Sequence, residues 1–201
     1  QKKKNAVARR LKKNHLLVVG GTGFIGYHLI KKVVKKNWNI TSLSLNKPKK
    51  NRKIKGVTYI IGDLSKLNQI KKKLQYNFTY VVNASGYNLY EYSKIRQREK
   101  KLFNTHFLGL KNLIKILEIK YIKKFIHIGT ADEYGNIRAP QRENDKEKPI
   151  NSYGKVKLLC TKYLMHLNKS LGFPVVVLRF FLTYGPEQGK NRVVRQAIDA
   201  C

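Results

Sequence analysis

Leu16-Leu17-Val18-Val19-Gly20-Gly21-Thr22-Gly23-Phe24-Ile25-Gly26-Tyr27 is a short apolar run opening into glycines at 20, 23 and 26. The run has the length of a buried strand. After it, Leu29, Ile30, Val33 and Val34 fall at helical spacing with lysines between them, one apolar stripe to lay against a sheet. A glycine at position 20 suits a tight turn, one at 23 has no Cβ to obstruct a pyrophosphate, and one at 26 lets the helix pack close to the strand. The helix N-terminus adds unpaired N–H groups and the positive end of the helix dipole. Together these predict a phosphate-holding turn for a dinucleotide, with Gly20, Gly23, Phe24, Ile25 and Gly26 at the contact.

Outward from that turn, strands alternate with helices. Asn37-Trp38-Asn39 ends the first helix, and Ile40 to Leu45, Val57 to Ile61, Tyr80 to Ala84, Phe125 to Ile128 and Val175 to Leu178 read as further strands. Ser65 to Gln75, Phe103 to Ile119 and Gly154 to Asn168 read as helices, with Pro149 to Tyr153 as a turn before the last. This pattern predicts βαβ units and an α/β fold with a doubly wound parallel sheet. The expected organisation is a basic arm over residues 1–14 and one dinucleotide-binding domain over 15–201. The chain begins at Gln1, not methionine, and stops at Cys201 as a helical pattern (Val193, Val194, Ala197, Ile198) gets under way. The expectation is therefore a domain cut before a C-terminal substrate domain.

With 201 residues, 42% of them hydrophobic, the chain can bury a substantial core. Its formal net charge of +32 invites a nucleic-acid reading. The distribution argues otherwise: ten Arg and 33 Lys are spread over nearly every expected surface, and Lys, Asn and Ile are all abundant, as an AT-biased genome produces. Nucleic acid is not the expected partner. Cys160 and Cys201 form neither a disulfide framework nor a zinc spacing, so no metal is expected and a reducing cytoplasm is the expected location. No stretch approaches the roughly 18 apolar residues of a membrane span.

Four more signatures follow the glycine turn: Gly62-Asp63-Leu64 ending the third strand, Thr130 with Tyr134-Gly135 after the fifth, Tyr153-x-x-x-Lys157, and Leu178-Arg179 with Tyr184-Gly185-Pro186 around the end of the sixth. With these, residues 15 to 200 resemble an extended short-chain dehydrogenase/reductase of the NAD-dependent epimerase/dehydratase family, whose members modify nucleotide sugars. Residues four apart share a helix face, so the Lys157 ammonium can lie near the Tyr153 phenol. A phenol titrating near pH 10 is a poor base at neutral pH, and a nearby cation favours the phenolate by about 1.4 kcal/mol per pKa unit. Tyr153 can then take a proton from a sugar hydroxyl while the carbon beneath it gives up hydride.

The resemblance implies the rest of the site. Thr130 hydrogen-bonds the same sugar oxygen as Tyr153, and Lys157 also holds the nicotinamide ribose. Asp63 and Leu64 face the adenine, Ala84 and Ser85 lie along the cofactor, and the Phe180 backbone meets the nicotinamide carboxamide. A nucleotide-sugar substrate and a homodimer are the expected partners. Three departures stand out. Ser44 falls where NAD users carry an acid for the adenosine ribose, so Ser44, Lys47 and Lys49 are candidates for a 2′-phosphate, and NADP is favoured over NAD. His106, in His106-x-x-Gly109-x-x-Asn112-Leu113, replaces an asparagine, with a core-facing histidine as the plain expectation. Leu182 stands where many relatives have a diphosphate-binding asparagine.

Sugar 4,6-dehydratases carry Asp-Glu directly behind the threonine; here the two positions, also substrate-facing, are Ala131 and Asp132. The Asp-Glu-Tyr-Gly run at 132–135 resembles GDP-6-deoxy-mannose-type 4-keto reductases instead. Reduction or epimerisation is thus expected ahead of dehydration. Dihydroflavonol and steroid enzymes share these motifs, which keeps another substrate class open. The alternative of another kind is a non-catalytic dinucleotide-fold protein whose charge binds RNA or an acidic partner.

Overall fold

The computed structural model describes residues 13–74, 77–86 and 95–201. Six strands, β1 (His15–Val19), β2 (Asn39–Ser44), β3 (Val57–Ile61), β4 (Tyr80–Asn83), β5 (Lys124–Thr130) and β6 (Val175–Phe180), form one sheet in the order β3-β2-β1-β4-β5-β6. Every pairing is parallel. The helices are α1 (Phe24–Val33), α2 (Leu67–Lys71), α3 (Ile95–Leu102), α4 (Gly109–Ile116), α5 (Ser152–Leu171) and α6 (Val193–Ala200). The expected doubly wound α/β fold is the observed one.

β1 carries an unbroken apolar run because both its faces are covered. Leu17 and Val19 join Leu110, Leu113, Phe125 and Leu164 in one core layer, while Leu16 and Val18 join Ile30 and Val82 in the other. Strand order reverses between β1 and β4, and such sheets take ligands above the carboxyl ends of the strands at that point. The glycine turn sits there. Gly20 has φ +79°, and a Cβ on it would lie 2.7 Å from the Ala84 carbonyl oxygen, so both the turn and the approach to β4 exclude a side chain.

Four helices differ from expectation. The polar stretch Arg96 to Lys101 is helical, although it has no apolar stripe to announce it; Leu102 anchors its end in the interior. A π-helical segment, Phe103–Leu108, then joins α3 to α4, and α4 stops at Ile116, where Leu117 turns to extended backbone and closes the core. The helix expected over Ser65 to Gln75 is reduced to α2, and Gln75 lies outside the described residues. The basic arm also lies almost wholly outside them.

α5 starts earlier than the expected Gly154, which puts Tyr153 inside its first turn. Asn151 is its N-cap, with Oδ1 accepting from Gly154 N at 2.7 Å, and Gly172 closes it in the left-handed region at φ 63°. No helix among the described residues is long and apolar enough to cross a membrane. Loss of the cap in Asn151→Ala is expected to cost about 1 kcal/mol of stability, measured as a lower urea midpoint with an unchanged slope.

Candidate active site

A cavity of about 650 Å³ opens above the carboxyl ends of β1 to β4. Gly20, Gly23, Ser44, Asp63, Leu64, Ala84 and Ser85 line it, seven of the residues expected at a cofactor. Backbone bonds set the turn: Gly20 N donates to Leu43 O at 2.7 Å, Gly23 N to Gly20 O at 3.0 Å, and Ala84 N to Val19 O at 2.9 Å. Gly23 caps α1 without a side-chain bond. The helix N-terminus is therefore open to an anion. Phe24, Ile25 and Gly26 do not line this cavity, and a Cβ on Gly26 would strike the Gly20 carbonyl.

Asp63 has a structural task as well. Its Oδ1 accepts from Ser65 N at 2.9 Å and Ser65 Oγ at 2.8 Å, which holds the turn after β3, while Oδ2 takes no part in that turn. Asn112 Nδ2 donates to Leu64 O at 2.8 Å and fixes the next residue. Ser44 is buried, and its Oγ accepts from Thr22 N at 3.1 Å, tying the end of β2 to the glycine turn. Lys47 is exposed and off the lining, which at this end is made by Leu45 and Asn46. Sequence reasoning missed the opposite wall, Gln97, Lys100, Lys101, Asn104 and Thr105, because the helix that carries most of it has no apolar periodicity. Bare backbone at two glycines, a free helix N-terminus and a carboxylate at the far end fit a dinucleotide.

The second half of the site lies where β5 ends against α5. Thr130 caps a tight turn, Ala131–Glu133, in a reciprocal box: Asp132 N donates to Thr130 Oγ1 at 3.3 Å and Thr130 N to Glu133 Oε1 at 3.0 Å. Glu133 is 0% exposed. Its Oε2 accepts from Thr161 Oγ1 at 2.8 Å and Arg179 Nε at 3.1 Å, and Arg179 Nη2 donates to Glu147 Oε1 at 2.5 Å. Gly154 lets α5 lean on this turn, since a Cβ there would be 2.5 Å from Asp132 O. The turn that carries Thr130, Ala131 and Asp132 is thereby packed against the first turn of α5, which holds Tyr153.

Burial, then the charges of Asp132 and Glu133, push the Tyr153 phenol up to about 12, with Arg192 opposing. Lys157, one turn along α5, is 2% exposed; Nζ donates to Ile128 O at 2.5 Å and lies 3.4 Å from His127 Nε2. Burial lowers it from the ordinary lysine range, while Cys160 and Glu133 pull the other way. His106 is buried as expected, and its ring also meets Tyr153 edge-on with centroids 5.5 Å apart. Phe180 ends β6 in register with Thr130, and Leu182 is 83% exposed. Glu133 had a readable signal in the Thr-x-x-Glu spacing. His127 and Asn83 had none.

A doubly wound parallel sheet with a glycine turn at its switch point and a Tyr-x-x-x-Lys helix beside the crevice defines a short-chain dehydrogenase/reductase-type protein. Residues 16–201 match the NAD dependent epimerase/dehydratase family, and the chain belongs to it. It is 26% identical over 205 residues to an uncharacterized UDP-glucose epimerase, YtcB, of Bacillus subtilis, covering 91% of this chain and 61% of that protein. It is 25% identical over 209 residues to a dTDP-D-glucose 4,6-dehydratase of Dictyostelium discoideum, covering 92% and 47%. The fold matches a Thermus thermophilus UDP-glucose 4-epimerase solved with NAD, at TM-score 0.76 and 23% identity over 92% of this chain and 60% of that one. The chain spans roughly half to three fifths of the length of such relatives.

Removing the Glu133 carboxylate leaves Arg179 and Thr161 without their shared acceptor. Glu133→Ala is expected to cost about 3–5 kcal/mol in urea unfolding. Glu147→Ala, at the more exposed end of the same network, is expected to cost clearly less.

Proposed function

We propose that the chain carries the dinucleotide-binding and catalytic machinery of an NAD(P)-dependent enzyme that acts on a nucleotide sugar by hydride transfer at a sugar carbon. One observation supports this reading: the close seat of α5, which carries Tyr153 and Lys157, on the turn that begins at Thr130, where a Cβ on Gly154 would lie 2.5 Å from Asp132 O. The nucleotide-sugar class is supported by the UDP-glucose epimerases and dTDP-glucose dehydratases among the relatives.

Gly20, Gly23 and the α1 N-terminus would hold the pyrophosphate, Asp63 and Leu64 the adenine, and Ala84, Ser85, Lys157 and the Phe180 backbone the remainder. The bound nicotinamide supplies the hydride chemistry. Tyr153 moves the proton at the sugar oxygen, and Lys157 in its charged form stabilises the phenolate. Thr130 Oγ1 already accepts from Asp132 N, which leaves its own proton to donate to that oxygen.

Within this class we favour 4-keto reduction or epimerisation. The two positions directly behind Thr130 are Ala131 and the short Asp132, where dehydratases carry a glutamate after an aspartate, and Glu133 is already engaged by Thr161 and Arg179. Dehydration is the second reading, favoured by the identity to the Dictyostelium enzyme. NADP is the favoured cofactor, since Ser44 brings no carboxylate to the ribose and Lys100 and Lys101 add positive charge to the cavity wall.

With NADPH and a 4-keto-6-deoxy sugar nucleotide on the full-length protein, Tyr153→Phe is expected to lower kcat about 10²–10⁴-fold while dinucleotide affinity holds. Wild-type turnover in that variant would sink the mechanism. Titrations of the two dinucleotides should give tighter binding of NADP; equal or tighter NAD binding overturns that preference.

A further inference from the structure

Behind Tyr153, on the face of the sheet that packs against α5, three polar side chains form a buried row. Asn83, His127 and Lys157 are each 2% exposed. β4 and β5 hold Asn83 and His127 side by side in register, and α5 brings Lys157 to the far edge of the imidazole. Asn83 Nδ2 is 3.2 Å from His127 Nδ1, and Lys157 Nζ is 3.4 Å from His127 Nε2.

The amide has one orientation. Asn83 Oδ1 accepts from the Ser85 backbone N–H at 3.2 Å and from Ser85 Oγ at 2.6 Å. A backbone N–H can only donate, so the oxygen faces Ser85 and the NH₂ group faces His127. Because that NH₂ group also only donates, His127 Nδ1 must accept, and a neutral imidazole then carries its proton on Nε2. That proton points at Lys157 Nζ. An ammonium there would oppose N–H to N–H, whereas an amine accepts it. The bond from Nζ to Ile128 O survives in either state.

We propose that Asn83, clamped by Ser85, fixes His127 as the Nε2–H tautomer, and that His127 thereby favours the amine form of Lys157 over the ammonium in the dinucleotide-free protein. His127 is then a positioning residue for the Tyr153–Lys157 pair, and this role rests on the reading of Lys157 as the cation that activates Tyr153. The other titratable groups around the row are His106 from the π-helical segment, Glu133 from the turn after β5, and Tyr153 and Cys160 on α5. Burial, the first cause, holds the imidazole well below its usual range and acts whether or not Lys157 carries a charge. Burial also lowers Lys157 against the pull of Cys160 and Glu133, and Glu133 is already engaged by Arg179 and Thr161. Ser85 lines the dinucleotide cavity. The clamp that sets the tautomer therefore forms part of the cofactor's wall.

The test is NMR of the full chain without dinucleotide, with ¹⁵N-labelled histidine and ¹³C-labelled lysine. His127→Phe and Lys157→Met assign the two signals by their loss. In wild type, His127 is expected to be neutral with its proton on Nε2 at neutral pH, and Lys157 to titrate below the exposed lysines. Asn83→Asp replaces the donor with an acceptor. It should move the His127 proton to Nδ1, let Nε2 accept from an ammonium, and shift the Lys157 titration upward.

A wild-type His127 protonated on Nδ1, or on both nitrogens, overturns the proposal, as does a Lys157 that titrates with the exposed lysines. These wild-type readouts decide the matter even if Asn83→Asp fails to fold. An inactive protein with the Nε2–H tautomer counts against the proposed function alone; an active one with the Nδ1–H tautomer counts against this inference alone.

Discussion

A carboxylate with no solvent must be met by donors, and Glu133 is met by three from three parts of the chain: the Thr130 backbone, the Thr161 hydroxyl on α5 and the Arg179 guanidinium on β6. Stripping water from such an ion costs several kcal/mol, which the assembled bonds must offset together. The constraint is therefore mutual. β5, β6 and α5 take up the spacing that satisfies Glu133, and that spacing places the Thr130 turn under the first turn of α5. Gly129 and Gly154 keep the approach open, since a Cβ on the first would lie 2.6 Å from Glu133 Oε1 and one on the second 2.5 Å from Asp132 O.

The crevice half of the site depends on a different economy, backbone packed on backbone. Gly20 lies against Ala84 and Ser85, Ala84 N bonds to the end of β1, and Ser44 Oγ receives the Thr22 N–H. Few side chains intrude, so the cavity keeps its room next to the helix N-terminus. The two halves meet through the sheet itself, because β4 and β5 are neighbours and Asn83 touches His127 across them. Ser85 belongs to one half and Lys157 to the other, with two side chains between them.

Much of this was legible in the sequence where the signal is local. The glycine spacing, the apolar runs of the six strands and the Tyr-x-x-x-Lys interval each depend on residues close in the chain. The capping box at 130–133 is equally local. Its meaning is not: Thr161 and Arg179 reach Glu133 from 28 and 46 residues away, a meeting that exists only once the sheet has formed. His127 looked like any strand residue for the same reason. α3 escaped because its helical residues Arg96 to Lys101 are all polar, and pattern reading detects a helix by the face it buries.

Lysine abundance makes any single lysine uninformative in sequence, and burial reverses this. Among the described residues Lys157 is the lysine in the buried class, while those on α1, α2 and α4 stand exposed or half-exposed. The acids follow a complementary rule: the ion pairs of Glu133, Glu147, Glu187 and Asp199 are all made with arginine, and a lysine pair occurs at the exposed Lys120–Glu118 contact of 3.9 Å. A planar guanidinium satisfies two acceptors at fixed angles, as Arg179 does between Glu133 and Glu147, whereas an ammonium on a flexible stem gives little order at a wet surface. The net charge of +32 is thus mostly solvated and screened by salt within about 10 Å at 0.1 M. Lys157, the buried one, is screened least and desolvated most. Its proton is set by the residues packed around it more than by the sea of charge outside.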